Sequence, residues 1–310
     1  MRVIRCSRKE EEKMNKIKVS PARRLFLICN TVVILLLMLI CLIPILNVLA
    51  QSFSSSHAIM TNQVKLLPVE FTTSAYSYVM QDSRFWTAVL VSVKRVLIGV
   101  PFNMLMTILA AYPLSKPERV FPARKFYSVY FVFLMIFNGG LIPTYYVVSK
   151  VGLIDSIWSL ILPCGVPIFN VILMMNFFRG IPDALEEAAM LEGASQWLIL
   201  VQIYLPLSKP SIATVTLFSL INHWNSWFDG LIYSNFTYNY PLQSFLQTMI
   251  VDFNSVLQSG DLSQIVELLS VNNTNMKAAQ IFLSIIPLML VYPFCQKYFT
   301  AGLTLGSVKE

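Results

Sequence analysis

The sequence predicts an all-α polytopic membrane protein with six transmembrane helices and both termini in the cytoplasm. Three observations carry this. Of the 310 residues, 56% are hydrophobic and only 13% are charged, against about 25% charged in soluble globular domains. A mean hydropathy of +0.64 over the whole chain suits repeated spans better than one anchor on a soluble domain. Six apolar runs are long enough to cross a bilayer, which takes about 20 predominantly apolar residues. With the loops between them assigned alternately, sixteen Lys/Arg fall inside and three outside, a strong positive-inside bias.

The net charge of +7 invites a nucleic-acid reading. However, nine of the 23 basic residues precede residue 25 and most others sit in short loops. That pattern orients a membrane protein and does not build a nucleic-acid-binding face. Cys6, Cys29, Cys41, Cys164 and Cys295 show neither metal spacing nor a disulfide framework. They are expected to be small buried apolar side chains. His57 and His223 form no HExxH pattern, and no Gly is followed by Lys, so there is no Walker A loop. No catalytic residue, metal site or cofactor is expected on this chain.

Residues 1–24 form a basic cytoplasmic segment, and 25–300 the transmembrane domain. The first span, about 25–50, is too long for a signal-peptide core and lacks a small-residue cleavage site after it. The others lie at about 86–114, 126–147, 157–178, 209–231 and 278–300, with a tail at 301–310. Four are interrupted. The third holds Asn138-Gly139-Gly140 and Pro143, and the fourth Pro163 and Pro167, followed by Asn170 and Asn176. The fifth follows Pro206 and Pro210 and carries Ser211, Thr214, Thr216, Ser219, Asn222, His223 and Asn225. The sixth holds Pro287 and Pro293. Carbonyls freed by proline need neighbouring helices or water at this depth. Polar side chains there either face an aqueous path or join helix to helix. The outer segments 51–84 and 232–276 exceed ordinary connectors. They form either a partner-binding surface or a cap over the helix ends.

The charge assignment places 180–208 in the cytoplasm. Pro182 and three acids open a helix. Leu185, Ala188, Ala189 and Glu192 share one face at helical spacing. Gly193 stops or bends the helix, Ser195 caps a second one, and Pro206 is expected to end it. Lipid-surface helices carry Lys/Arg on the polar face. This one is acidic, which favours a protein partner.

Glu187-Ala188-Ala189, then Gly193, then Ile203, Leu205 and Pro206 match the spacing of the EAA loop in permease subunits of bacterial ABC importers, with Glu192 where Asp is common. Ala110 to Ser115, Gly140 to Pro143, the Trp224-Asn225 region and the ending KYFTAGLTLGSVKE are similar to carbohydrate-importer permeases, in particular the MalG-like subunits and their LplC/YtcP-like branch. The resemblance implies the type I ABC importer permease fold and the import of sugars, in particular oligosaccharides, including uronate-containing ones derived from polysaccharides. It implies a second homologous permease, two ATPase subunits that hold ATP and Mg, an extracytoplasmic solute-binding protein and a place in the bacterial cytoplasmic membrane. The EAA residues would couple the chain to the ATPase. Asn170, Asn222 and Asn225 are candidate partners for sugar hydroxyls, with Trp224 or Trp227 for sugar faces. Lys94 and Arg95 either pair with an acid, snorkel, or attract a uronate. Asp229 is the plausible membrane-embedded acid. The competing readings are an ion-coupled secondary transporter and a permease for a non-sugar solute of the same superfamily.

Overall fold

The computed structural model describes residues 20–248 and 274–307, and these are helical or looped throughout. Expectations for the segment before residue 20, for much of the outer segment 232–276 and for the last three residues lie outside the described residues.

Helix α1 (Pro21–Ser52) starts where the Ser20 hydroxyl accepts from the Arg23 N–H, with Pro21 in the first turn. Its 32 residues give a length of about 48 Å, more than the ~30 Å of bilayer hydrocarbon. It packs against the last helix, is exposed through Leu46, and becomes buried at Ala50. Cys29 and Cys41 are therefore exposed rather than buried. Two short helices, α2 (Ser56–Met60) and α3 (Ser74–Gln81), fold the segment 51–84.

The central post is α4 (Ser83–Ser115), capped by Asp82 through the Arg84 N–H. It packs on α7 (Ile168–Phe178) and α10 (Lys209–Asn225). The apolar run at 126–147 is two helices, α5 (Arg124–Ile136) and α6 (Leu141–Lys150), meeting at 111°. Thirteen residues make only about 20 Å of helix, so α5 alone does not cross hydrocarbon. The run at 157–178 opens with two 3₁₀ turns, Ile157–Leu160 and Leu162–Cys164, before α7 turns away by 50°.

The segment 180–208 contains α8 (Asp183–Leu191) and α9 (Gln196–Ile199). A π-helical turn (Leu200–Tyr204) and a last turn (Leu205–Leu207) prolong α9. Pro206 does not end this helix. The π turn already shifts the hydrogen-bond register, with Leu205 N–H bonding Leu200 O, so the missing proline N–H breaks no regular ladder. The turn to α10 comes at Ser208, at 83°. The fifth run breaks again at Ser226-Trp227 before α11 (Phe228–Tyr233). The last helix, α12 (Thr274–Ser307), runs through the expected start of the tail at 301.

Among the described residues, two helices are long and apolar enough to span alone and three bent pairs qualify jointly. The chain is thus a multi-pass helical membrane protein. Its two main cores sit at opposite ends of α4. One gathers Ala111, Tyr112, Leu114, Met174, Phe178, Ile199 and Tyr204 around the end that carries α8 and α9. The other gathers Val79, Phe85, Ala88, Trp224, Leu242 and Phe245 at the far end.

Candidate functional site

The acidic helix–bend–helix is held from one side and open on the other. Gly193 adopts φ +83°, a left-handed conformation that costs any other L-residue. The Ala194 N–H bonds Ala189 O at 2.9 Å and the Gly193 N–H bonds Met190 O at 3.0 Å. This pair closes α8 as a Schellman motif. The Ser195 hydroxyl then accepts from the Leu198 N–H at 3.3 Å and starts α9.

The motif residues divide by face. Glu187, Ala188, Gly193 and Pro206 are exposed, the Glu187 side chain at 66%. Its nearest cation is Arg119, at 3.8 Å. Ala189, Ile203 and Leu205 are half-buried against the core at this end. Beside Glu187 and Ala188, Leu191 is 90% exposed. The outward face is therefore small, acidic and apolar.

What fixes α8 to the bundle is Glu186. Its carboxylate is buried and accepts from Lys116 Nζ at 2.6 Å and from the Tyr204 hydroxyl at 2.7 Å. Lys116 caps α4. Its ammonium lies 4.1 Å from the ring centres of both Tyr112 and Tyr204, a double cation–π contact. The Tyr112 hydroxyl donates to Gln196 Oε1 at 2.7 Å and ties α4 to α9. Burial pushes the Glu186 carboxyl up, but hydrogen bonds from Lys116 and Tyr204 and the Lys116 charge outweigh it and hold the group below the ordinary carboxylate range. Burial lowers Lys116, with Glu186 opposing. The sequence reading missed Glu186 and Lys116. The available signal was an acid next to the motif and a lysine at the end of a span, each with a simpler explanation.

A second polar assembly lies in the middle of the bundle. Arg95 on α4 is 1% exposed. It pairs with both carboxylate oxygens of Asp229, one at 3.1 Å. It also donates to Leu160 O at 3.1 Å, Ser226 O at 3.4 Å and His223 Nδ1 at 3.3 Å. Asp229 further accepts from the Ser226 hydroxyl and the Gly230 N–H. With the Asn103 amide oxygen turned toward it, His223 Nε2 donates across 3.1 Å. Gly99 abuts the same imidazole: a Cβ there would stand 2.6 Å from His223 Nε2. Of the alternatives open for Arg95, the structure gives the ion pair, and its partner is Asp229.

The candidate pathway residues separate. Asn222 and Asn225 are exposed and line an open cavity of ≈ 450 Å³ with Phe218, Trp227 and Phe228. Asn170 is buried and donates to Ser219 Oγ at 3.1 Å, joining α7 to α10. Trp224 is buried in the far core, its Nε1–H bonded to Ser284 O at 3.1 Å. Of the two tryptophans considered, Trp227 is the one on the cavity. Among the described residues, no group of three His, Cys, Asp or Glu could hold a metal.

Bent spans, a cavity lined by amides and aromatic rings, and an exposed acidic helix at one end suit a membrane transport permease better than an anchor. No protein-family model matches the chain. The polygalacturonan/rhamnogalacturonan transport system permease protein YtcP of Bacillus subtilis (strain 168) is 38% identical over 276 residues, which cover 89% of this chain and 95% of that protein. Protein LplC of the same organism is 36% identical over 290 residues, 94% of this chain and 97% of its own length. A crystal structure of a bacterial ABC transporter involved in the import of the acidic polysaccharide alginate contains a chain that superposes with a TM-score of 0.80 at 34% identity, covering 90% of this chain and 98% of that one. The chain belongs to the permease subunits of sugar-importing ABC transporters.

Proposed function

We propose that this chain, with a second homologous permease, forms the translocation pathway of an ATP-driven, binding-protein-dependent importer of uronate-bearing oligosaccharides in the bacterial cytoplasmic membrane. Two ATPase subunits hold ATP and Mg, and a groove of one of them grips the exposed face of α8 around Glu187, Ala188 and Gly193. The observation that carries this reading is the contrast within α8. Glu187 and Leu191 point outward, while Glu186, one residue away, is locked to α4 and to the π turn by Lys116 and Tyr204. A force on the outer face therefore reaches the spans without first deforming α8. ATP-driven closure of the ATPase pair tilts α8, and the spans rock between inward-facing and outward-facing states.

Asn222, Asn225 and the Trp227 ring supply the amides and flat face that a sugar requires. Acidic substrates are supported by the polygalacturonan/rhamnogalacturonan and alginate systems of the relatives. Arg95 is committed to Asp229 and is not available to a substrate carboxylate. The same pairing occupies the embedded acid that an ion-coupled transporter would need. The test is uptake of an oligogalacturonate by proteoliposomes holding the assembled transporter and binding protein. Uptake should need ATP and be blocked by vanadate. Uptake driven by an ion gradient, without ATPase subunits, would sink the proposal.

A further inference from the structure

A cleft of ≈ 310 Å³ lies between α5 and α7, separate from the Trp227 cavity and close to where α7 leads into α8. Its walls are apolar, with Val129 and Val132 from α5 and Val171 from α7. Its rim carries three cations, Arg124, Lys125 and Arg179, against one acid, Glu118. None of the three cations makes a salt bridge among the described residues. Arg179 donates to Leu114 O and the Met175 sulfur, each at 3.2 Å. Burial and then the neighbouring Arg124 charge depress the Arg179 pKa, so two like charges are within mutual influence. Inside the cleft the Ser128 hydroxyl is buried and has no hydrogen-bond partner. Buried hydroxyls are ordinarily satisfied. Here an acceptor is missing beside an excess of positive charge.

The shape settles which anion fits. Helix α5 buries none of its residues and exposes Val129, Val132, Phe133 and Ile136, so the apolar trough opens along a membrane helix. A water-soluble anion has no use for that wall, whereas a lipid has an acyl chain to lay along it. Basic pockets between transmembrane helices on the positive side of a membrane suit anionic headgroups. Guanidinium groups match phosphate oxygens in number and direction. We propose that the cleft between α5 and α7 binds an anionic phospholipid, its phosphate at Arg124, Lys125 and Arg179 and one acyl chain against Val129, Val132 and Val171. The proposal does not depend on what the transporter carries or on how α8 is gripped.

The test is native mass spectrometry of the assembled transporter released from nanodiscs of mixed phosphatidylcholine and phosphatidylglycerol. The wild type should retain phosphatidylglycerol in preference to phosphatidylcholine. The double variant Arg124→Gln/Lys125→Gln should weaken that retention by about thirtyfold, from the loss of two surface cations. Val132→Trp fills the trough, leaves the charges in place, and should also release the lipid. If the double variant does not assemble, Val132→Trp decides alone. Equal retention of the two lipids, or unchanged phosphatidylglycerol in both variants, would overturn the proposal. So would displacement of the lipid by excess digalacturonate, which would make the cleft a sugar site. Loss of the ATPase subunits from the double variant with lipid retention intact would also overturn it, making the rim a protein-docking surface.

Discussion

Two buried ion pairs among the described residues, Arg95–Asp229 and Lys116–Glu186, are built differently. Arg95–Asp229 sits mid-bundle and uses the guanidinium fork: one cation reaches Asp229, Leu160 O, Ser226 O and His223. Lys116–Glu186 sits at the end that carries α8 and uses a point charge between two tyrosine rings. A planar fork with several fixed partners holds one geometry, whereas an ammonium accepts its partners over a range of directions. The arginine therefore fixes the break between α10 and α11 beside the Trp227 cavity. The lysine, enclosed by the Tyr112 and Tyr204 rings, holds α8 to α4 through one carboxylate oxygen of Glu186.

The largest expected effect breaks the Arg95–Asp229 pair. Arg95→Ala leaves Asp229 charged and unpaired and should cost about 3–5 kcal/mol, read as a lower thermal transition of the assembled complex. Arg95→Met combined with Asp229→Asn should recover much of it, because no orphan charge remains. Breaking the Lys116–Glu186 pair falls at the low end of the same range. Glu186→Ala leaves Lys116 buried without its carboxylate, at a cost of about 3 kcal/mol, because the Tyr112 and Tyr204 rings still face the ammonium. It should also uncouple ATPase activity from uptake. This pair has an acid signature. The Glu186 carboxyl is held below its ordinary range. Its stabilisation is thus present above the unfolded-state pKa of about 4.3 and is lost as pH falls through the lower folded value. The gap in transition temperature between wild type and Glu186→Gln should narrow in that acid window and stay constant near neutrality.

Smaller effects sharpen the distinction between brace and grip. A Cβ at Gly193 meets nothing within 4 Å, so Gly193→Ala should cost only its backbone strain, about 1 kcal/mol. Gly193→Pro also removes the N–H that bonds Met190 O and cannot reach a positive φ. It should leave the complex in the membrane with ATPase activity uncoupled from uptake, and normal uptake would sink the lever. Glu187→Ala should change stability by less than about 0.5 kcal/mol, as an exposed substitution does, yet reduce ATP-driven uptake. Equal losses of stability for Glu186→Ala and Glu187→Ala would erase the contrast within α8.

Much of this was legible from residue order. Apolar run length located α1, α4 and α12, and charge asymmetry set 180–208 apart before any packing was known. The Gly193 bend and the Ser195 cap follow from local chemistry, so they could be read directly. Direction could not. In the run at 126–147 the break at Asn138-Gly139-Gly140 was visible, but hydropathy is blind to the 111° by which the chain turns there. The persistence of helix past Pro206 depends on the π turn before it, a register shift without a composition signal. Arg95 and Asp229 could each be named as costly groups in a membrane. Lys116 could not be matched with Glu186, because at a span end a lysine already has a sufficient reason to be there.

The contact between Gly99 and His223 has a consequence for how this family can vary. The imidazole fills the volume that any side chain at 99 would need, and it is held there by Arg95 on one ring nitrogen and by Asn103 on the other. Two positions remote in sequence thus share one space. A lineage that enlarges residue 99 must shrink residue 223 and find another acceptor for the arginine. The α4–α10 crossing thus joins four positions, 95, 99, 103 and 223, by direct contact, so a change at one acts on the other three.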